Sequence, residues 1–140
     1  MRLLNTNVLS ELMRPAPDPH VQRWADRLPH HGFCTAAVVA AELRFGVALL
    51  PDGERRRRTE RALESLLGRV LGGRILPFDA RSARHYAAFR AARQRAGRPV
   101  SVQDAMIAAT AVAHGIEAIV ARNLGDFEGC GLPLVDPWAA

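Results

Sequence analysis

The chain has 140 residues, 49% of them apolar, which is one domain (residues 1–140) with enough length to bury a core without covalent or metal staples. Its 19 basic residues are all arginine, its formal charge is +5, and its two cysteines, Cys34 and Cys130, lack metal-ligand spacing. A disulfide framework is therefore excluded, and a reducing compartment is expected. Asn5 and Glu11 interrupt the apolar start that a signal peptide would need, and no stretch approaches a membrane span, so the expectation is a soluble, cytoplasmic protein with no membrane partner. The basic balance favours polyanionic partners, and arginine suits phosphate through its planar fork of donors. A lysine-free composition also follows from genomic base composition alone.

In chain order, Leu3-Leu4 reads as a short buried strand and Asn5-Thr6-Asn7 as a polar tip. Val8, Leu9, Leu12 and Met13 follow at helical spacing. Arg14 to Pro19 is a break, with Asp18 a helix cap and Pro19 at the first helical position. Val21, Trp24, Ala25 and Leu28 mark one face of a helix ending at Pro29, and Phe33-Cys34-Thr35 reads as a second strand. A helix is expected from Val38 to Leu50, carrying Glu42 as the one acid among its apolar positions. The next runs from about Glu54 to Leu71, with Leu63, Leu66, Leu67 and Val70 inward and a Gly72-Gly73 stop. Its run Arg55 to Arg58 reads mainly as a solvated face with Glu54–Arg58 and Arg56–Glu60 ion pairs, and as an RNA contact in the minority case.

Pro77 demotes Ile75 to Phe78 to an edge strand or connector, and Asp79 caps an Ala-rich helix that stops at Gly97. Ser101 and Asp104 have the form of a capping box at the start of a helix that continues through Ala105, Ile107, Ala108, Ala111 and Val112 to His114-Gly115. Ala118 to Ala121 is a buried strand, Arg122 to Phe127 the loop beyond it, and Leu132 to Val135 a last strand. Strands alternating with helices predict an α/β fold with a parallel, doubly wound sheet.

In such a sheet the tips after Leu4 and Ala121 share the carboxyl edge, which brings Asn5 near Asp126. Glu42 joins them from a packed helix, and Asp104 stands in a first turn whose dipole favours its ionised form. Clustered carboxylates raise one another's pKa unless a cation sits among them, and oxygen ligands suit Mg²⁺ or Mn²⁺. Each acid alone also reads as structural: a solvent-facing helix residue, a first-turn charge, a loop acid. The five histidines show no ligand spacing, and no P-loop, dinucleotide fingerprint or nucleophile elbow is present.

Four stretches taken together resemble the PIN-domain ribonucleases, most closely the VapC-type toxins of toxin-antitoxin pairs, including the FitB-like branch. They are Leu3 to Leu12, Ala41 to Gly46, Asp104 to Ala111, and Arg122 to Phe127 with the closing Pro137-Trp138, spread from end to end in the family's order. The resemblance implies a three-layer α/β/α fold on a sheet of four to five strands and Mg²⁺-dependent endonucleolytic cleavage of RNA, with Mn²⁺ as an alternative ion. It also implies a homodimer and a small antitoxin whose C-terminal segment plugs the active-site groove. The family's four metal-binding acidic positions fall on Asn5, Glu42, Asp104 and Asp126, and positions that orient ligands or water fall on Thr6 and Asn123. The antitoxin is expected across apolar helix faces near Leu9, Met13 and Trp24.

The family pattern has Asp where this chain has Asn5. Ala36, Val39 and Ala121 likewise stand where Ser, Thr and Thr are usual. Losing one carboxylate beside a divalent cation weakens metal affinity, since a charge pair at about 4 Å is worth roughly 4 kcal/mol at an effective dielectric of 20. A weakened nuclease is therefore expected, and a catalytically inactive binding module of the same fold is the alternative. A phosphoacceptor receiver domain would need a lysine by its acids, and this chain has none.

Overall fold

The computed structural model describes every residue, Met1–Ala140. Five short parallel strands, β1 (Arg2–Leu4), β2 (Phe33–Ala36), β3 (Ile75–Leu76), β4 (Ala118–Val120) and β5 (Leu134–Val135), form one sheet in the order β3-β2-β1-β4-β5. Leu3, Leu4, Cys34, Ile119 and Val120 are wholly buried. That is the mark of central parallel strands covered on both faces, each large side chain contributing about 1.5–3 kcal/mol through burial.

Helices α1 (Thr6–Leu12), α2 (Pro19–Asp26), α3 (Ala37–Ala48) and α4 (Glu54–Ser65) pack as one group. Helices α5 (Ala80–Arg95) and α6 (Val102–Ala113) form another, joined to the first where α3 touches α6. The result is the expected α/β/α arrangement. Small residues make the joint possible: Ala105, Ala108 and Ala111 of α6 are buried, which lets the helix approach the sheet closely.

The expected caps form. Asp18 accepts the His20 N–H at 2.8 Å, Asp79 takes both the N–H and the hydroxyl of Ser82 at 3.0 Å, and Ser101 accepts the Asp104 N–H at 3.1 Å. These bonds hold the Asp79 carboxyl down at about 2. The edge reading of the Pro77 segment also holds, with β3 reduced to Ile75–Leu76.

Two details differ. The last strand covers Leu134–Val135 only, because Pro133 has no N–H to give a ladder. The end of the fourth helix widens into a π-turn, Leu66–Val70, in which Leu71 N–H reaches back to Leu66 C=O. That wider turn buries Leu71 and leaves Val70 only half-buried before Gly72 and Gly73 end the helix with φ of 56° and 73°.

The strand order fixes the place of a site. From β1 the chain builds outward through β2 and β3, then returns to β4 and β5 on the other side of β1. A crevice opens at the carboxyl ends of β1 and β4, where the topology switches.

Candidate active site

Asn5 is the residue immediately after β1. Its N–H donates to Val120 C=O at 2.9 Å, which locks it beside the end of β4, and its C=O accepts from Val8 and Leu9 to start α1. It stands in the cap position of that helix, where asparagine is favoured, yet its side chain makes no capping bond. The side chain is buried, with a single long contact of 3.4 Å from Nδ2 to Asn7 Oδ1.

Around it lie unpaired oxygens. Asn5 Oδ1, Thr6 Oγ1 and Glu42 Oε1 are buried without a partner at hydrogen-bond geometry, although the Thr6 hydroxyl lies near enough to Glu42 to favour its charged form. Leaving one polar atom so costs about 1–3 kcal/mol, so three of them at one crevice mark a position made for a ligand. An oxygen-only set of this kind fits a hard divalent cation.

The acids act on one another across the crevice. Burial, and then the Asp104 charge, push the Glu42 carboxyl above the usual carboxylate range, the Thr6 hydroxyl working weakly the other way. Burial and the Asp126 charge push Asp104 up as well, against the Ser101 hydroxyl and the Arg93 guanidinium. Glu42, Asp104 and Asp126 are thus brought to one place, but they do not close into a three-ligand group.

Asp126 is held from behind. It sits in a 3₁₀ turn, Leu124–Asp126, whose carbonyls face Arg93 of α5. Arg93 Nη1 donates to the carbonyls of Gly125, Asp126 and Glu128 at 3.1, 3.4 and 3.0 Å, and its Nε donates to Arg98 C=O at 2.6 Å. Arg98 in turn pairs with Glu128 at 2.8 Å, and the Arg93 guanidinium rests over the Phe89 ring. One guanidinium therefore shapes the turn that carries an acid of the site.

The PIN domain family model matches residues 2–128. The chain belongs to the PIN-domain family. It is 41% identical over 138 residues to the VapC ribonuclease Y4jK of Sinorhizobium fredii, covering 99% of this chain and 98% of that one. It is 38% identical over 138 residues to Toxin FitB of Neisseria gonorrhoeae, covering 99% of both. The solved structure of FitAB bound to an IR36 DNA fragment superposes with a TM-score of 0.90 at 36% identity, over 99% of this chain and 96% of that one.

Two grooves open from the crevice of this PIN domain and share Thr6, Ser10 and Arg14. The larger, about 660 Å³, runs between α1, α3 and α4, past Glu42, Met13, Leu43, Val47 and Leu50 to Arg55 and Arg58. The smaller, about 530 Å³, has Asn7, Glu11, Arg122 and Trp138 as its other lining residues.

Leu9 and the α4 ion pairs depart from expectation. Leu9 is wholly buried and offers no docking face, and Trp24 is half-buried with its ring stacked on Phe33 at 5.5 Å. Of the three residues named for the antitoxin, Met13 lines the larger groove. The helix-α4 ion pairs form with other partners: Arg56 with Asp52 at 2.9 Å, and Arg57 and Arg61 with Glu54 at 3.2 and 3.3 Å. Asn123 is exposed, and its C=O, rather than its side chain, accepts the Asp126 N–H.

Ala36, Val39 and Ala121 are wholly buried, so packing occupies the positions where the family pattern has hydroxyls. One hydroxyl beside them persists: Thr35 Oγ1 donates to Leu4 C=O at 2.8 Å. Sequence reasoning passed over Arg93, since an arginine in an Ala-Arg helix gives no sign of the loop it will meet. It also passed over Glu11, a buried acid whose carboxylate takes the Asp18 N–H at 3.0 Å and a guanidinium contact from Arg14.

Proposed function

We propose that this single PIN domain is the ribonuclease toxin of a toxin-antitoxin pair, a metal-dependent endoribonuclease weakened by Asn5. The observation that carries the reading is the set of three unpaired buried oxygens, on Asn5, Thr6 and Glu42, at the crevice faced by Asp104 and Asp126. The names of its relatives, a VapC ribonuclease and Toxin FitB, support the same activity and role.

Glu42, Asp104 and Asp126 would hold Mg²⁺ or Mn²⁺ as carboxylates, with Asn5 Oδ1 as a neutral fourth oxygen. Bound there, the ion supplies positive charge against the scissile phosphate and makes water more acidic. The protein's own part is to place the groups. Thr6 orients Glu42 or water from beside it, Asn123 forms the turn that ends in Asp126, and Arg93 fixes that turn. Burial keeps Glu42 and Asp104 reluctant to ionise, so they are poised to gain from a cation.

The larger groove suits the antitoxin. Met13, Leu43, Val47 and Leu50 offer an apolar floor to an amphipathic segment, and Arg55 and Arg58, which take no ion pair within α4, offer positive ends for acidic side chains. Its continuity with Glu42 lets an occupant cover the crevice, and the FitAB neighbour is itself a two-component assembly. Phe45 on α3 and Leu49 just past its end, 66% and 68% exposed one turn apart, support the homodimer as an apolar face outside that groove. No helix is long and apolar enough to cross a membrane.

A second reading, a binding module without catalysis, is favoured by Asn5 itself, since the family's first carboxylate is replaced. Cleavage of a mixed RNA pool by the parent and by Asn5→Asp, with Mg²⁺ or with chelator, separates the two. The expected outcome is weak cleavage by the parent, stronger cleavage by Asn5→Asp at lower Mg²⁺, and none with chelator. Absence of cleavage by both forms at every metal concentration leaves the binding module.

A further inference from the structure

We infer that the smaller groove is a nucleotide subsite, in which Arg122, resting on Trp138, receives the base and phosphate next to the cleaved bond of single-stranded RNA. The inference rests on the ribonuclease reading and adds where the strand leaves the crevice. Arg122 is exposed, and its guanidinium lies over the indole of Trp138, 4.8 Å from the ring centre. It takes no carboxylate partner, in contrast to Arg14 across the groove, which is tied to Glu11. The Glu11 carboxylate is itself engaged by the Asp18 N–H, which lessens its repulsion of a phosphate.

The platform is held in place by the chain around it. Ala121 N–H donates to Val135 C=O at 2.9 Å, and the Asp136 carboxylate accepts the Trp138 N–H at 2.9 Å, so the residues flanking Arg122 and Trp138 are fixed to the same sheet edge. Thr6 lines this groove as well as the crevice, which puts the subsite one step from Asn5 and Glu42. A flat guanidinium with an indole behind it stacks any base on its open face while its edge meets phosphate. The lining of Thr6, Asn7, Ser10, Glu11, Arg14, Arg122 and Trp138 has a single apolar member, so an amphipathic protein segment finds nothing there to bury.

The test uses the full chain with Trp24→Phe, which leaves Trp138 as its one tryptophan. A short oligouridine is titrated in chelator, so that it binds without cleavage, and both Trp138 emission and the anisotropy of labelled RNA are read. Trp138 emission should change in step with RNA binding. Arg122→Ala should weaken binding about tenfold and lower the salt slope by roughly 0.7, and Arg122→Lys should restore the slope with only part of the affinity. Thermal melting of each variant guards against misfolding.

RNA that binds by anisotropy while Trp138 stays silent and Arg122→Ala binds like the parent overturns the subsite and leaves the ribonuclease reading standing. A Trp138 response to an amphipathic helical peptide and not to RNA overturns it in favour of a protein partner. RNA that does not bind in chelator overturns the subsite, while the ribonuclease reading falls only if neither the parent nor Asn5→Asp cleaves RNA with Mg²⁺.

Discussion

The two grooves that meet at Thr6, Ser10 and Arg14 are built from different chemistry. The larger has an apolar floor from α1, α3 and α4 and carries its free arginines at the far end. The smaller is polar almost throughout and keeps its free arginine on an aromatic support. Apolar area stabilises a protein partner through release of water, whereas a charged, stackable surface suits a solvated polyanion. One crevice can therefore serve two occupants that compete only where the grooves join. On the proposed function, an antitoxin in the larger groove would block the crevice without needing to imitate RNA in the smaller one.

The sharpest way to break this division is Met13→Asp. A buried charge in the apolar floor should weaken binding of the cognate antitoxin by about 2 kcal/mol, roughly thirtyfold, in calorimetry, and leave RNA affinity within a factor of two or so. Equal loss of both would mean that the grooves are one site.

Arg93→Lys comes next. An ammonium cannot reach three carbonyls and the Arg98 carbonyl together, so the Gly125–Glu128 turn should loosen. Cleavage by the Asn5→Asp form should fall about tenfold, with faster amide exchange confined to residues 123–128. Uniformly faster exchange along the chain would assign Arg93 to global stability alone.

The smallest effect concerns the acids without metal. Glu42 has its pKa raised in the fold, so its contribution to stability is full below the unfolded carboxylate value and is lost as pH rises through the folded one. Glu42→Gln should therefore melt with the parent at acid pH and about 2 °C above it at neutral pH in chelator. Mg²⁺ should raise the parent's melting point more than the variant's. A parent as stable as Glu42→Gln at every pH would place Glu42 in solvent and outside the crevice.

Much of this molecule was legible in residue order. Fully buried parallel strands demand unbroken apolar runs, so Leu3-Leu4 and Ala118 to Val120 announced themselves, and the caps at Asp18, Asp79 and Ser101 are local bonds that local sequence specifies. The acids were grouped from sequence because the ends of parallel strands are where a sheet leaves room for chemistry. The ion pairs of α4 were right in kind and wrong in partner, since several acceptors lie within reach of each arginine and helix register alone does not choose among them. Leu9 was misplaced because an apolar residue in a short helix has the same signature whether it faces the core or a partner.

The sequence by itself determined most of the elements, the parallel run of the strands and the candidate acids at the strand and helix ends, because periodicity, capping and turn chemistry act over a few residues. Only the tertiary structure decided what lies across from what. It set Arg93 against the carbonyls of a turn 32 to 35 residues away and Arg122 on Trp138, and it divided the surface into an apolar and a polar groove. Those relations depend on how helices pack on the finished sheet, and no local pattern encodes the distance between two side chains that meet only after folding.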